Sequence, residues 1–416
     1  MDSMKAGTRS QRSLIVSICV CMYVLLGAGP ATAAPRAPTS AWVGTWSAAP
    51  EGQRNPTAIS VATTYREIVH ISVGGNTARV ILTNEFGTEP LTVAVASLGL
   101  RTSGNAIDPS STKALTFAGQ PTVTLPAGSM MLSDPVDIHL PSLSEVAISL
   151  FVPAQPLHQS TVHSYALQTN YTAPENVVNA EALTAPSTTG EYFFLRGVDV
   201  ASDAPNAVVT LGDSITDGAA SRANSNGRWP NVLAARLQAD PALSKIGVLN
   251  AGLNGNRLLH NDDEFGDSAL RRLDRDVLTQ AGAKYLIVLE GINDIGHIVK
   301  PSPDDPAETA QSIIRALQQI AVRARSQRIK VIGATILPYE NCKYASPEGE
   351  TIRQAVNKWI RSSSDFDAVV DFDKTLRDPS HPARLLSVYD SGDHLHPNTD
   401  GLHAMADSIP LSLFAR

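Results

Sequence analysis

The sequence has little cysteine: three in 416 residues, of which Cys19 and Cys21 fall within the first 34. A chain processed after that segment keeps Cys342 alone and forms no internal disulfide, so packing must stabilise it, as a chain of this length can arrange. No stable membrane anchor is expected either. The apolar run Leu14 to Leu26 is 13 residues long, and a bilayer crossing needs about 20. Preceded by Lys5, Arg9 and Arg12 and followed by Ala31-Thr32-Ala33, this run reads as a signal peptide over residues 1–34, cut near Ala33 or Ala34. The mature protein is then secreted or periplasmic. Excess positive charge is also missing: beyond residue 34 the chain has 30 basic and 39 acidic residues, a net charge of −9, and no basic run. Such a surface repels phosphate backbones, so nucleic acid is not an expected partner. Metal-ligand spacing is absent around His297, His381 and His403, and Asp393, His394 and His396 crowd one short loop on which side chains do not converge on an ion. Neither metal nor cofactor is expected.

What is there is ordinary globular composition, 43% apolar and 18% charged with 28 Gly and 27 Pro, which excludes a collagen, a coiled coil and a wholly disordered chain. From Trp42 to about Val200, short apolar stretches are broken every ten residues or so by Gly, Pro, Asn or Asp. Examples are Glu67 to Val73, Thr77 to Thr83, Leu91 to Leu98, Val146 to Val152 and Tyr192 to Leu195. Gly74-Gly75-Asn76 between two β-branched runs predicts a hairpin. Residues 35–200 therefore read as an antiparallel β-sandwich, jelly-roll-like. Residues 201–416 read as a second domain in which strand, loop and helix repeat. Its strand-like runs are Ala207 to Leu211, Ile246 to Asn250, Tyr285 to Leu289, Ile329 to Leu337 and Ala368 to Phe372. Between them lie the amphipathic stretches Arg228 to Leu237, Ala307 to Arg325 and Glu348 to Ser362. Continuous apolar strands alternating with helices predict a five-stranded parallel sheet covered on both faces, a three-layer α/β/α domain. In such sheets ligands bind beyond the carboxyl ends of the strands.

Three groups of residues fall at those ends. The first strand runs into Gly212-Asp213-Ser214-Ile215-Thr216-Asp217-Gly218, which places Ser214 where helix-terminal amides favour negative charge, although Gly-Asp-Ser is equally good capping chemistry. A serine becomes a nucleophile only with an oriented general base. Asp393-His394-Leu395-His396-Pro397 offers one: a carboxylate three residues before a histidine can hold one ring nitrogen and leave the other free. It could also be a polar loop ahead of a helix capped by Asn398 or Thr399. The third need is neutral donors for an oxyanion. Asn250-Ala251-Gly252-Leu253-Asn254-Gly255-Asn256 follows the second strand and Glu290-Gly291-Ile292-Asn293-Asp294 the third; both are also turn-forming. No Gly-x-Ser-x-Gly elbow surrounds any serine.

Taken together, these blocks resemble an SGNH hydrolase, the group also called GDSL esterases and lipases, from about Asn206 to the carboxyl terminus. The resemblance implies a fold with five parallel strands, Ser214 as nucleophile, and Asp393 and His396 completing a triad. It also implies an oxyanion hole of the Ser214 amide, Gly255 in preference to Gly252, and Asn293. Ile215 stands where the family has leucine. The opening Trp42-Val43-Gly44-Thr45-Trp46 is similar to an extension of some exported members related to acetylxylan esterases, which implies a carbohydrate ester substrate; Trp42 and Trp46 themselves read as core. The expected function is hydrolysis of short-chain or acetyl esters, of a small molecule or a polysaccharide, through a covalent acyl-enzyme. The alternatives are an acyltransferase of the same fold and a carbohydrate-binding protein with an inactive hydrolase domain. Tyr339 and Tyr344 are candidate pocket walls, Cys342 a pocket lining with nothing to make it a nucleophile, and Asp213 and Asp294 loop-holding residues.

Overall fold

A computed structural model describes residues 41–54, 60–297 and 306–415. The signal peptide read at residues 1–34 lies outside the described residues. Among the described residues no helix is long and apolar enough to cross a membrane. The described residues form one compact unit.

The amino-terminal half is built mainly from two antiparallel sheets, with a small three-stranded sheet of Tyr192–Phe193, Thr161–His163 and Glu51–Gly52 and a two-stranded one of Leu91–Val93 and Val123–Leu125 beside them. One main sheet runs in the order Ala41–Ser47, Leu195–Ser202, Gly75–Asn84, Ser129–Leu132, with Val136–Leu140 also on Gly75–Asn84. The other runs Ser187–Thr189, Asn170–Pro174, Thr63–His70, Glu145–Val152, Val95–Ser103, Ala106–Ile107. Inward side chains such as Val69, Val80, Leu82, Val146, Ile148 and Val198 fill the space between them, as alternation on half-buried strands requires. The expected hairpin does not form. Thr63–His70 pairs with Glu145–Val152, whereas Gly75–Asn84 pairs with Leu195–Ser202, so the chain changes sheets at Gly74-Gly75. Gly74 is needed for closeness instead: a Cβ there would lie 2.3 Å from the Leu140 carbonyl oxygen. Trp46 packs edge-on against Tyr192, ring centroids 4.9 Å apart, while Trp42 is half-buried under the Arg79 guanidinium.

The carboxyl-terminal half has five parallel strands in the order Ile246–Gly252, Asn206–Gly212, Ala283–Leu289, Lys330–Ala334, Ala368–Val370. Near-continuous burial along them explains why they were legible as unbroken apolar runs. The expected amphipathic stretches are the helices Trp229–Ala239, Pro306–Ser326 and Pro347–Ser362. The strand order reverses at Asn206–Gly212, so right-handed crossovers put Trp229–Ala239 on one face and the other two helices on the opposite face. The reversal also opens a crevice at the carboxyl end of Asn206–Gly212.

Ile246–Gly252 is the edge of this sheet, and the amino-terminal half covers it. Ser72 Oγ accepts from Val248 N at 2.9 Å and donates to the Thr45 carbonyl at 2.7 Å, and Ser47 Oγ donates to the Asn250 carbonyl at 3.1 Å. Gly44 N donates to the Ala281 carbonyl at 2.9 Å. Edge backbone groups that would otherwise face water are thus paired across the two halves. Ser72→Ala leaves the buried Val248 amide without a partner and should lower unfolding stability by ~1–3 kcal/mol. Urea denaturation followed by tryptophan fluorescence measures it.

Candidate active site

The crevice receives Ser214. Strand Asn206–Gly212 ends in a turn whose Asp213 accepts from Ile215 N at 2.9 Å, capping the single turn Ser214–Asp217. The Gly212 carbonyl accepts from Leu253 N at 3.0 Å and from the Arg272 guanidinium at 2.9 Å. The serine is therefore held at its backbone before any catalytic partner is considered.

Its hydroxyl oxygen lies 2.9 Å from His396 Nε2, across 182 positions of sequence. His396 Nδ1 lies 2.6 Å from Asp393 Oδ2. The other carboxylate oxygen accepts from the amides of His396 at 2.8 Å and Leu395 at 2.9 Å and from the Ser391 hydroxyl at 3.0 Å. Partial burial pushes the Asp393 carboxyl up, but the His396 ring and these amides outweigh it and hold it down at about 2. The group is thus ionised wherever the protein is expected to work, and the Nδ1 hydrogen of His396 is committed to it.

Gly255 and Asn293 border the same cleft as Ser214, a space of about 590 Å³. The Gly255 amide has no acceptor among the described residues, whereas the Gly252 amide is occupied by Asn250 Oδ1 at 2.8 Å. Gly255 has φ +75°, and a Cβ there would sit 2.1 Å from the Phe265 ring, so both conformation and space require glycine. Asn293 Nδ2 donates one hydrogen to the Asn256 carbonyl at 2.9 Å, and its Oδ1 accepts from the Tyr344 hydroxyl at 3.3 Å. That fixes the amide's orientation and leaves its second hydrogen for another acceptor. Asp294 accepts from Leu258 N at 2.7 Å and Leu259 N at 2.9 Å, fastening the loop that carries Gly255.

Of the two tyrosines, Tyr344 lines the cleft with Phe265 and His297. Tyr339 is buried behind it, ring centroids 6.1 Å apart, and borders a neighbouring space of about 520 Å³ instead. Cys342 lines both, its thiol pushed up by burial.

Sequence reasoning passed over Arg272. Its fully buried guanidinium bonds the carbonyls of Gly212 at 2.9 Å and Ala251 at 2.7 Å, Asn256 Oδ1 at 2.9 Å and Asp276 at 3.2 Å, and approaches Glu290 at 3.4 Å. One side chain thus ties together the ends of two strands and the loop beyond. Burial, then the charge of Asp213, pushes Glu290 well above the usual carboxylate range, and burial pushes Asp213 up to about 7. His297 was also missed: its Nδ1 lies 2.9 Å from the Asn293 carbonyl, and its ring packs between Phe265 and Tyr344.

A family model described as the GDSL-like Lipase/Acylhydrolase family matches residues 210–404. Over these residues the chain belongs to that family. It is a carboxylic ester hydrolase. No curated protein matches this GDSL-like hydrolase. Among solved structures it is similar to a G-D-S-L family protein from Desulfitobacterium hafniense, 24% identical over 49% of this chain and 97% of that one, TM-score 0.36. It is similar to an acetylxylan esterase from Geobacillus stearothermophilus, 22% identical over 49% and 91%, TM-score 0.35. A GDSL-like lipase from Bacteroides thetaiotaomicron is 18% identical over 50% and 88%, TM-score 0.36.

Tyr344→Phe removes one of the two bonds that fix the Asn293 amide of this hydrolase. Losing about 1 kcal/mol of orientation should lower kcat on p-nitrophenyl acetate about fivefold with KM little changed, in steady-state kinetics.

Proposed function

We propose that the protein is an exported serine esterase acting on short-chain or acetyl esters, carbohydrate esters included, through Ser214, His396 and Asp393. The observation that carries this reading is the unbroken relay from Asp393 through both nitrogens of His396 to the Ser214 hydroxyl, at 2.6 Å and 2.9 Å. His396 Nε2 takes the hydroxyl proton as Ser214 Oγ attacks the ester carbonyl, and the imidazolium formed is stabilised by Asp393. The carbonyl oxygen, now negative, receives hydrogens from the amides of Ser214 and Gly255 and from the Asn293 side chain. Collapse expels the alcohol, which takes the proton from His396 and leaves an ester on Ser214. Water then attacks that acyl group, its proton passing to His396 and back to Ser214, and the acid leaves.

The preference for small acyl groups rests on the cleft wall. Phe265, His297 and Tyr344 close one side with rings, while Asn254, Asn341, Lys343 and His394 give a polar rim suited to a hydroxyl-rich alcohol. Export rests on the leader-like residues 1–34, which the described residues do not include.

Ser214→Ala and His396→Ala should each lower kcat by about 10⁶, and Asn293→Ala by about 10² to 10³. An appreciable rate from Ser214→Ala on p-nitrophenyl acetate would overturn the nucleophile. Across p-nitrophenyl esters of increasing chain length and acetylated sugars, kcat/KM should peak at the shortest acyl groups and fall steeply for fatty ones. A maximum on long chains would overturn the substrate class.

A further inference from the structure

Behind the nucleophile turn lies a second histidine–carboxylate pair, supplied by the two halves of the molecule. His163 stands on the short strand Thr161–His163 of the amino-terminal half, and Asp217 is the last residue of the helical turn that begins with Ser214. His163 Nε2 lies 3.1 Å from Asp217 Oδ1, and both side chains are more than nine-tenths buried. His163 Nδ1 lies 2.9 Å from the Ala49 carbonyl oxygen.

A carbonyl and a carboxylate can only accept hydrogen bonds. A ring placed between them satisfies both only if each nitrogen carries a hydrogen, which is the imidazolium form. Asp217 is otherwise closely confined. Its amide donates to the Asp213 carbonyl at 2.9 Å, and the chain at Gly252 presses on its backbone, leaving no room there for a side chain. Asn250 Nδ2 donates to the neighbouring Thr216 carbonyl at 2.9 Å, while the Asn250 carbonyl is itself held by Ser47 of the amino-terminal half. The turn carrying Ser214 is therefore gripped at its far end by the β half, and two residues, Ile215 and Thr216, separate the grip from Ser214.

We propose that His163, as a buried imidazolium bonded to Asp217, is a positioning residue that sets the Ser214 hydroxyl for attack, which makes the amino-terminal half part of the hydrolytic apparatus. The proposal rests on Ser214 being the nucleophile. Burial pushes the His163 ring down, but the Asp217 charge, its hydrogen bond and the Ala49 carbonyl outweigh this and raise it to about 9. The groups facing the pair are Glu51, whose charge also favours the cation, Tyr165, Tyr192, Arg228 and His70. Burial pushes both tyrosines up and His70 down to about 4. His163 is then the ring whose charge changes near pH 9. Because its folded value lies above the usual 6.5, the stability that the link contributes is full below about pH 6.5 and is lost as pH rises through about 9, where the folded ring itself gives up its charge.

Three measurements on the full-length protein test this. Nitrogen-15 ring shifts of His163 at pH 8, assigned by their loss in His163→Gln, should report hydrogens on both nitrogens; a neutral ring overturns the proposal. For His163→Gln and Asp217→Asn, kcat on p-nitrophenyl acetate per folded molecule, with folding scored by near-ultraviolet circular dichroism, should fall about 10-fold to 100-fold with KM within about threefold. The double variant should be no worse than the singles. Rates within about twofold of wild type in both single variants overturn it. Wild-type kcat should decline as pH rises through about 9, a decline absent from His163→Gln; a wild-type profile flat to pH 10 also overturns it. Should the nucleophile assignment itself be wrong, Ser214→Ala would stay active. If only the positioning role is wrong, Ser214→Ala is inactive and the His163 variants are normal.

Discussion

Everything at the site depends on how the strand Asn206–Gly212 ends. The Gly212 carbonyl, the last backbone acceptor of the strand, is shared between Leu253 N and the buried Arg272, and Asp213 immediately caps the turn that follows. These contacts remove the backbone freedom of Ser214, so the motion left to its hydroxyl is rotation of the side chain. Catalysis by oriented groups needs that prior fixation: a hydroxyl free to wander by an ångström forfeits most of the gain from a nearby base. The same arginine reaches the Ala251 carbonyl and Asn256, so the strand ends and the Gly255 loop are set relative to one another by one cation.

Around this anchor the molecule divides the labour by distance in the chain. The Asp393 to His396 segment is a self-contained unit, closed on itself by amides onto a single carboxylate oxygen, and needs the rest of the fold only to be delivered to Ser214. The proposed oxyanion donors are the opposite case. Gly255 is useful because Asp294 fastens the loop behind it, and Asn293 because Asn256 and Tyr344 fix its amide. The amino-terminal half enters as a cover for the edge strand Ile246–Gly252, through Ser47 and Ser72, and reaches the nucleophile turn through His163.

The parallel sheet and its three long helices were legible because buried strands and amphipathic helices carry their environment in local pattern. Ser214, Asp393 and His396, the proposed triad, stood out as candidates for a related reason: a strand-to-helix turn and an Asp-x-x-His spacing are short-range chemistry. The Gly74-Gly75-Asn76 signal misled because a turn motif reports local backbone freedom, while sheet partners are chosen by packing far away in sequence. Tyr339 and Tyr344 could not be told apart, since they share an irregular segment with no period to say which ring faces the cleft. Arg272 sits beside Arg271 on a five-residue helix and looks like surface charge until its acceptors, four of them 16 or more residues away in sequence, are assembled. His163 and Asp217, 54 residues apart, have no sequence signature at all.

The central claim is that one serine, seated by this turn and deprotonated by His396, carries the acyl group. The most direct measurement is peptide mapping by mass spectrometry after brief reaction of the full-length protein with a fluorophosphonate, alongside His396→Ala. The account predicts a single adduct on Ser214 that forms far more slowly in the variant. An adduct on another residue, or equal labelling without His396, would contradict it.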